Sequence, residues 1–436
     1  MLKGKLVLNG TIELISPAII GSGDNEKSDI DLVRDSDGKV YIPATSFVGV
    51  LRHSIKLGTQ YKNKFKNFWG SSQDEDGEDI FQSSIKIDDL LPLDEPSIKI
   101  RDGVKIDNKK GIAEDKGKFD YEVIEPGGIF NLKAEINIYE NEDNFKKRML
   151  STIVKLLEEE KIRIGAKTTS GFGKIKLRDY RFYEFDFSKK NDVLRWLKGE
   201  FSKPSSLDVE PFEIESKIFQ IEAEFAIKNS LIVRSYNFDP DKPDIEHMKS
   251  RGKPVLPGTS IKGAIRARAE RIVKTIGKSE KIIDELFGNV DEENKTAKKG
   301  KISVDETFID GYPEEVQTRI KIDRFTGGVI EGALLETKPL FSKKEPNSIK
   351  ITLTIQNVKP HEAGLMLLVL KDLWTGDLPI GGEKAIGRGV LKGKGAKIIY
   401  NGETIAEFTN INELSQEQKN KLQGFVDMLK NYGGQE

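Results

Sequence analysis

Apolar and polar residues alternate at period two in KLVLNGTIELI (5–15) and again in IFQIEAEFAI (218–227). This pattern predicts a strand with one covered face at the head of each half of the chain. Each strand is followed, after a polar loop, by Pro-x-Thr-Ser and then by helical spacing, in FVGVLRHSIKL (47–57) and IKGAIRARAERIV (261–273). Ser46 and Ser260 stand where an N-cap would, so each is expected to open a helix. Further on, IFNLKAEINIY (129–139) and SIKITLTIQNV (348–358) read as strands, and NFKKRMLSTIVKLLEEE (144–160) and EAGLMLLVLKDLW (362–374) as helices. A last strand follows a glycine-rich loop in both halves.

The two halves resemble each other residue by residue. Asp29 aligns with Asp244, and one deletion later Gly38 falls on Gly252, Pro43 on Pro257, Ser46 on Ser260 and Arg52 on Arg266. In the middle, Ile106-Asp107 pairs with Ile322-Asp323 and Gly111 with Gly327; near the ends Gly171 and Gly173 pair with Gly387 and Gly389. Three motifs in one order at a nearly constant offset indicate a duplication. The expected element order in each copy is strand, helix, strand, strand, helix, strand. That is an α+β chain of two tandem ferredoxin-like (RRM-like) domains built on the split β-α-β topology, each carrying long insertions. The expected boundaries are 1–186 for the first domain, 187–214 for a linker with a helix in SKKNDVLRWLKGEFSKP (188–204), 215–400 for the second domain, and 401–436 for a C-terminal helical extension.

Composition narrows the class. With 37% apolar and 32% charged residues the chain is of soluble globular type, and without cysteine it has neither disulfides nor thiolate metal sites. No run approaches the roughly 18 apolar residues of a membrane span, and the N-terminus lacks the apolar core of a signal peptide, so a cytoplasmic protein with no membrane association is expected. A net charge of −1 gives no whole-molecule argument for a polyanionic partner. Local segregation does: KIRIGAKTTSGFGKIKLR (161–178) and RGVLKGKGAK (388–397) are basic without an acid, and QDEDGED (73–79) is purely acidic.

The basic runs surround the glycines, and glycine lets a backbone approach a phosphate closely and turn its N–H groups toward it. Lys167, Gly171, Phe172, Gly173 and Lys174 in the first copy, and Gly387, Arg388 and Gly389 in the second, are therefore candidate phosphate-backbone contacts, with Phe172 as a stacking-capable ring. Neither a P-loop nor a dinucleotide fingerprint is present. His53, His247 and His361 without cysteine cannot form a conventional zinc site, and most of them read as ordinary surface residues. What does recur is a loop carboxylate, Asp29 and Asp244, each five residues before a basic residue, Arg34 and Lys249.

Taken together, IGSGD with DIDLVRD, IPATSFVGVLR, PGTSIKGAIR, the IDxxxG segments and GFGKIKL resemble the repeat-associated mysterious protein (RAMP) superfamily of CRISPR systems, in particular the backbone subunits of type III effector complexes. The resemblance spans about 4–186 and 216–400. It implies modules that stack along a CRISPR RNA, with thumb-like hairpins around Asp107 and Asp323 that displace a base of the guide–target duplex. It further implies that Asp29 and Asp244 cut complementary target RNA, by attack of a ribose 2′-OH on its own phosphate, with Mg²⁺ or Mn²⁺ bound at these carboxylates or with the carboxylates as base. The implied partners are CRISPR RNA, complementary target RNA and other type III effector subunits, and the implied RNA contacts are the glycine-loop residues above together with Ser46, Arg52, Ser260, Lys262 and Arg266 from the helices that follow Pro-x-Thr-Ser.

Departures from the family pattern bear on single sites. PATSFVG stands where the family favours glycine and lysine, and Arg234 stands where the first half has Gly21. Asp31 and Glu246 lie close enough to be the carboxylates instead, and Asp29 ranks above Asp244. The alternatives are a guide-binding scaffold without activity, a guide-end capping subunit, a metal-independent CRISPR RNA-processing endonuclease, and a duplicated RNA-recognition domain.

Overall fold

A computed structural model describes residues 1–23, 28–71, 82–107, 110–140, 144–214, 217–237, 239–291 and 296–433. The acidic segment 73–79 lies outside the described residues. The chain forms two compact units: Met1–Arg101, Asp120–Thr168 and Phe172–Glu215 in one, and Asp102–Phe119, Thr169–Gly171 and Ser216–Glu436 in the other. Among the described residues the architecture is mixed α+β with eight α-helices and mostly antiparallel strands. No helix there is long and apolar enough to cross a membrane.

The first unit is built on β1 (Leu2–Leu14), whose residues Leu6, Leu8, Ile12 and Leu14 all point into one apolar core. Burying side chains of this size stabilises by roughly 1.5–3 kcal/mol each, which fixes which face of the strand is covered. The helices α1 (Ala44–Ser54), α2 (Lys62–Trp69) and α3 (Phe145–Glu158) contribute Phe47, Leu51, Phe68, Met149, Ile153 and Leu157 to that core. The sheet runs β2 (Ile85–Ile87), β5 (Ile129–Tyr139), β1, β6 (Ile175–Asp186), with Leu6 between Ile136 and Glu184. Its other face carries Val7, Tyr183 and Phe185, covered by Trp196 of α4 (Lys190–Leu197) and by Phe201. Between β2 and β5, the strands β3 (Ile98–Asp107) and β4 (Ile112–Ile124) form a separate ribbon.

The second unit repeats this plan. Its sheet order is β10 (Ile302–Val304), β13 (Ile349–Gln356), β7 (Ile218–Ile227), β14 (Leu391–Tyr400), β15 (Glu403–Phe408). The helices α5 (Gly258–Thr275), α6 (Lys281–Phe287) and α7 (Pro360–Thr375) add Ile261, Ile265, Leu286 and Leu370 to its core. A second sheet runs β11 (Gln317–Arg319), β12 (Leu335–Lys338), β9 (Ile245–His247), β8 (Arg234–Tyr236). A terminal helix, α8 (Gln416–Lys430), docks on α7 at Gly364, where a β-carbon would collide with the Phe425 carbonyl.

The expected N-caps are corrected. Pro43 and Pro257 occupy the cap positions, and Ser46 and Ser260 lie inside the first turn without capping. Proline fixes φ near −65° as a helix entry requires, and in α1 the Ala44 N–H donates instead to Asp89 Oδ1 at 2.7 Å. An acceptor 45 residues away replaces the local hydroxyl.

Candidate nucleic-acid interface

Asp29 is exposed in the loop that follows β1, and the sequence does not fix its orientation; β4 does. The Asp120 N–H donates to Asp29 Oδ2 at 2.9 Å, and the Asp29 N–H donates to Asp120 Oδ1 at 3.0 Å. Two residues on, Glu122 accepts both guanidinium nitrogens of Arg34, at 2.8 and 2.9 Å, and the Leu32 N–H at 3.0 Å. The Arg34 bonds hold the buried Glu122 carboxyl below its usual range, and Glu122 raises the Arg34 guanidinium in return. Between them, the Tyr121 ring lies 3.4 Å beneath the Lys167 ammonium and edge-on to Phe172 at 6.1 Å. Burial pushes the Lys167 ammonium down to about 8. Three consecutive residues of β4 thus join the aspartate loop to the glycine loop.

The second unit copies the first half of this arrangement. The Glu336 N–H donates to Asp244 Oδ2 at 2.8 Å, so the same kind of acceptor bond braces both loop aspartates. The ion pair beside it is inverted in sign, because Lys338 occupies the position of Glu122. Lys249 and Lys338 share Glu314, at 2.8 and 3.3 Å. Burial raises the Glu314 carboxyl, but its bond to Lys249 and the lysine charges outweigh that and hold it low.

The remaining expected contacts divide into exposed and internal groups. Ser46 and Gly387 are exposed; Arg52, Ser260, Lys262 and Arg266 are half-buried on α1 and α5. Arg266 pairs with Glu270 of its own helix at 3.0 Å, and Lys174 with Glu160 at 3.1 Å. Burial, reinforced by the Arg266 and Lys299 charges, brings the Lys262 ammonium down to about 8, and its Nζ donates to Thr169 Oγ1 at 2.7 Å.

Phe172 is not a stacking platform in this structure: its ring is fully buried against Tyr121 and Arg101. Gly173 and Gly389 do not present N–H groups outward either, since these donate to the Pro17 and Ser230 carbonyls. Both glycines have positive φ, and a β-carbon would collide with the Ile164 or Ile380 carbonyl, so close backbone packing is what requires them. Gly171, buried and also at positive φ, is held in the same way by the 304–306 backbone. Arg388 is 3% exposed and pairs with Glu383 at 3.0 Å.

Among the histidines, expected mostly at the surface, His247 is the buried exception. Its Nδ1 accepts from the Val233 N–H and its Nε2–H donates to the Val255 carbonyl, and burial lowers it to about 4, which fixes it as a neutral core residue.

A divalent cation finds two carboxylates here rather than a cage. Asp29 Oδ1 and Asp120 Oδ2 stand beside two anchored oxygens, and no group of three or more acidic, histidine or cysteine side chains gathers among the described residues. Mg²⁺ commonly binds through one or two carboxylates, with water and substrate phosphate completing its shell. The donor set of the first copy fits an ion of that kind; in the second copy Glu336 meets Asp244 through its backbone N–H, and its own carboxylate accepts from Thr318 Oγ1 at 3.2 Å.

Sequence reasoning missed Asp120, Glu122 and Glu336. The signal was available: a constant offset of 216 places Asp120 on Glu336, so an acid occupies both positions.

Comparison with known proteins accords with this duplicated geometry. One relative is the CRISPR system Cms endoribonuclease Csm3 of Methanocaldococcus jannaschii, 26% identical over 245 residues, which span 50% of this chain and 95% of that protein. The family model of the RAMP superfamily matches twice, over residues 11–176 and 224–392, and the chain belongs to that superfamily.

Proposed function

We propose that the chain is a backbone subunit of a type III CRISPR RNA-guided effector complex, binding CRISPR RNA and cleaving complementary target RNA with one loop aspartate per repeat. The observation that carries this reading is the repeated brace, Asp29 on the Asp120 N–H and Asp244 on the Glu336 N–H. It anchors one oxygen of each exposed carboxylate. The relative's name, an endoribonuclease of a CRISPR system, supports the same reading.

Each unit is then a ferredoxin-like module, a reading supported by the sheet orders β2-β5-β1-β6 and β10-β13-β7-β14. The β3–β4 ribbon and the segment between β11 and β12 are the thumbs. Exposed Val104, Ile106 and Ile112 on one, and Ile320, Ile322 and Phe325 on the other, suit a wedge against a base. Asp107 and Asp323 head their turns, with Asp323 Oδ1 accepting the Phe325 and Thr326 N–H groups at 2.8 Å.

In the chemistry, a ribose 2′-OH attacks the adjacent phosphorus in line, giving a 2′,3′-cyclic phosphate and releasing the 5′-oxygen, which takes a proton from water. Asp29 or Asp244 accepts the 2′-OH proton at its outer oxygen while the braced oxygen holds the carboxylate in place. Mg²⁺ or Mn²⁺ held by these carboxylates would stabilise the charge developing on the phosphate oxygens. Partner subunits and a cytoplasmic setting belong to this proposal.

The assembled complex with guide, labelled complementary RNA and Mg²⁺ tests it. Asp29→Asn and Asp244→Asn keep an oxygen for the brace and remove the charge. Each is expected to lose a different cut by 10²-fold or more, with RNA binding kept. Chelation with EDTA is expected to stop both. Normal cutting by the double variant would refute the catalytic assignment. The scaffold reading has its own supporting observation, since an aspartate that braces a loop needs no catalytic role; it predicts binding without cuts in wild type.

A further inference from the structure

Three arginines converge on one carboxylate in the second unit. Arg388 Nε lies 3.0 Å and Arg319 Nη2 2.9 Å from Glu383 Oε2, and Arg234 Nη2 lies 3.4 Å from Oε1. The Glu383 side chain is 5% exposed. Arg388 is buried, donates through Nη2 to Gln317 and has a buried Nη1 with no hydrogen-bond partner. Arg234 and Arg319 keep 40% and 32% of their side chains exposed, and Glu383 is their only ionic partner among the described residues.

Three guanidinium groups on one carboxylate leave a net charge of about +2 in the cluster. Burial lowers the Arg388 guanidinium, and so does repulsion from Arg319 and Arg234, which Glu383 only partly offsets. The two outer guanidiniums are already held in place, each by one bond to Glu383, and among the described residues most of their five N–H donors are unused. That combination is complementary to a phosphate.

Position strengthens the argument. Arg234 pairs in register with His247 on β9, the strand that follows Asp244. Arg319 pairs with Leu335 on β12, beside the Glu336 that braces Asp244. Two of the three arginines, Arg234 and Arg319, therefore lie on the sheet whose strand β9 begins directly after Asp244. It also has no counterpart in the first copy, where Gly21, Gly103, Lys167 and Phe172 occupy the matching positions. A charge cluster needed to build the shared scaffold would be expected in both.

We propose that Arg234 and Arg319, set by Glu383 and Arg388, form a phosphate clamp of the second repeat that binds a phosphodiester of single-stranded RNA next to Asp244. This rests on the RNA-binding reading above. The test measures binding of a fluorescein-labelled oligouridylate to the full chain across a salt series. Arg234→Gln with Arg319→Gln is expected to bind roughly tenfold more weakly, with the slope of log K against log salt shallower by about 1. Arg234→Lys with Arg319→Lys is expected to restore the slope. Glu383→Gln acts in the opposite direction, lowering the melting temperature, tightening RNA binding and steepening the slope. An unchanged slope in the glutamine pair, or weaker binding in Glu383→Gln, overturns the clamp while RNA binding stands. Absence of binding by wild type, alone and in the assembled complex, overturns the RNA-binding reading and the clamp with it.

Discussion

In the first unit the glycine loop sets Lys167 over Tyr121, with Phe172 edge-on to that ring; in the second it sets Glu383 against Arg388 and two further arginines. The side chains have been exchanged, even in sign, yet the backbone has not moved. Lys167 and Glu383 both adopt left-handed φ, 52° and 57°. Ile164 and Ile380 donate to the Gly173 and Gly389 carbonyls at 2.8 and 2.9 Å, and Ala166 and Gly382 both donate at 2.8 Å, to Ile19 and Ile232. Duplication has preserved a loop path and left its lining free to diverge. That is what a scaffold offering two related but unequal sites requires.

The comparison breaks most severely where the path itself is attacked. Gly173→Ala and Gly389→Ala each force a β-carbon into a carbonyl at positive φ. Each should destabilise its own unit by on the order of 4 kcal/mol, and by similar amounts. Denaturant melts of both variants check this. Gly387→Ala meets no neighbour and should cost far less, although its φ of 83° still strains an alanine. A large difference between Gly173→Ala and Gly389→Ala would mean that the two loops are not equivalent.

The duplication was legible in the sequence because glycines and prolines mark backbone geometry, and geometry is what the two copies share. Strands were legible where alternation was long: 129–139 and 218–227 match β5 and β7 to the residue. The three-residue edge strands β2 and β10 were not, since three residues carry no period. The glycine loops were misread through chemistry that tertiary contacts override. Phe172 and Arg388 look like ligand contacts in a basic run, but Phe172 is drawn into the core, and Arg388 can be buried because Glu383 is there to receive it. The aspartate loops were legible as a repeat, while their braces were not, because Asp120 and Glu336 lie 91 and 92 residues away along the chain.

The inverted ion pair sharpens the contrast at smaller scale. Glu122 holds Arg34 and the Leu32 N–H with a side chain 6% exposed, whereas Lys338, its counterpart, is 29% exposed and shares Glu314 with Lys249. Glu122→Ala leaves a guanidinium and a backbone donor without an acceptor, and about 3 kcal/mol of stability should be lost. Lys338→Ala should cost under about 1 kcal/mol, because Glu314 keeps Lys249. Melts of the two variants decide; equal losses would show that the charge swap preserved the energetics as well as the position.

The smallest expected difference is set by pH. His247 aligns with Leu32, so the second unit carries a buried titratable ring where the first carries an aliphatic side chain. Burial lowers His247 to about 4 from the 6.5 of an exposed histidine. The folded state keeps the ring neutral, and the unfolded state takes up a proton first as pH falls. Its contribution is therefore complete above pH 6.5 and is lost as pH falls toward 4, by about 1.4 kcal/mol for each unit. Amide exchange of the second unit should accelerate between pH 6.5 and 5.5 beyond its intrinsic pH dependence, and that of the first should not. His247→Leu should remove most of the difference at a fixed stability cost, because the Val233 N–H and the Val255 carbonyl lose their partner, and half-buried His361 of the same unit, also lowered by burial, keeps the remainder. If both units lose stability alike in wild type over that range, the ring does not govern it, and the source must be a group that the two copies share.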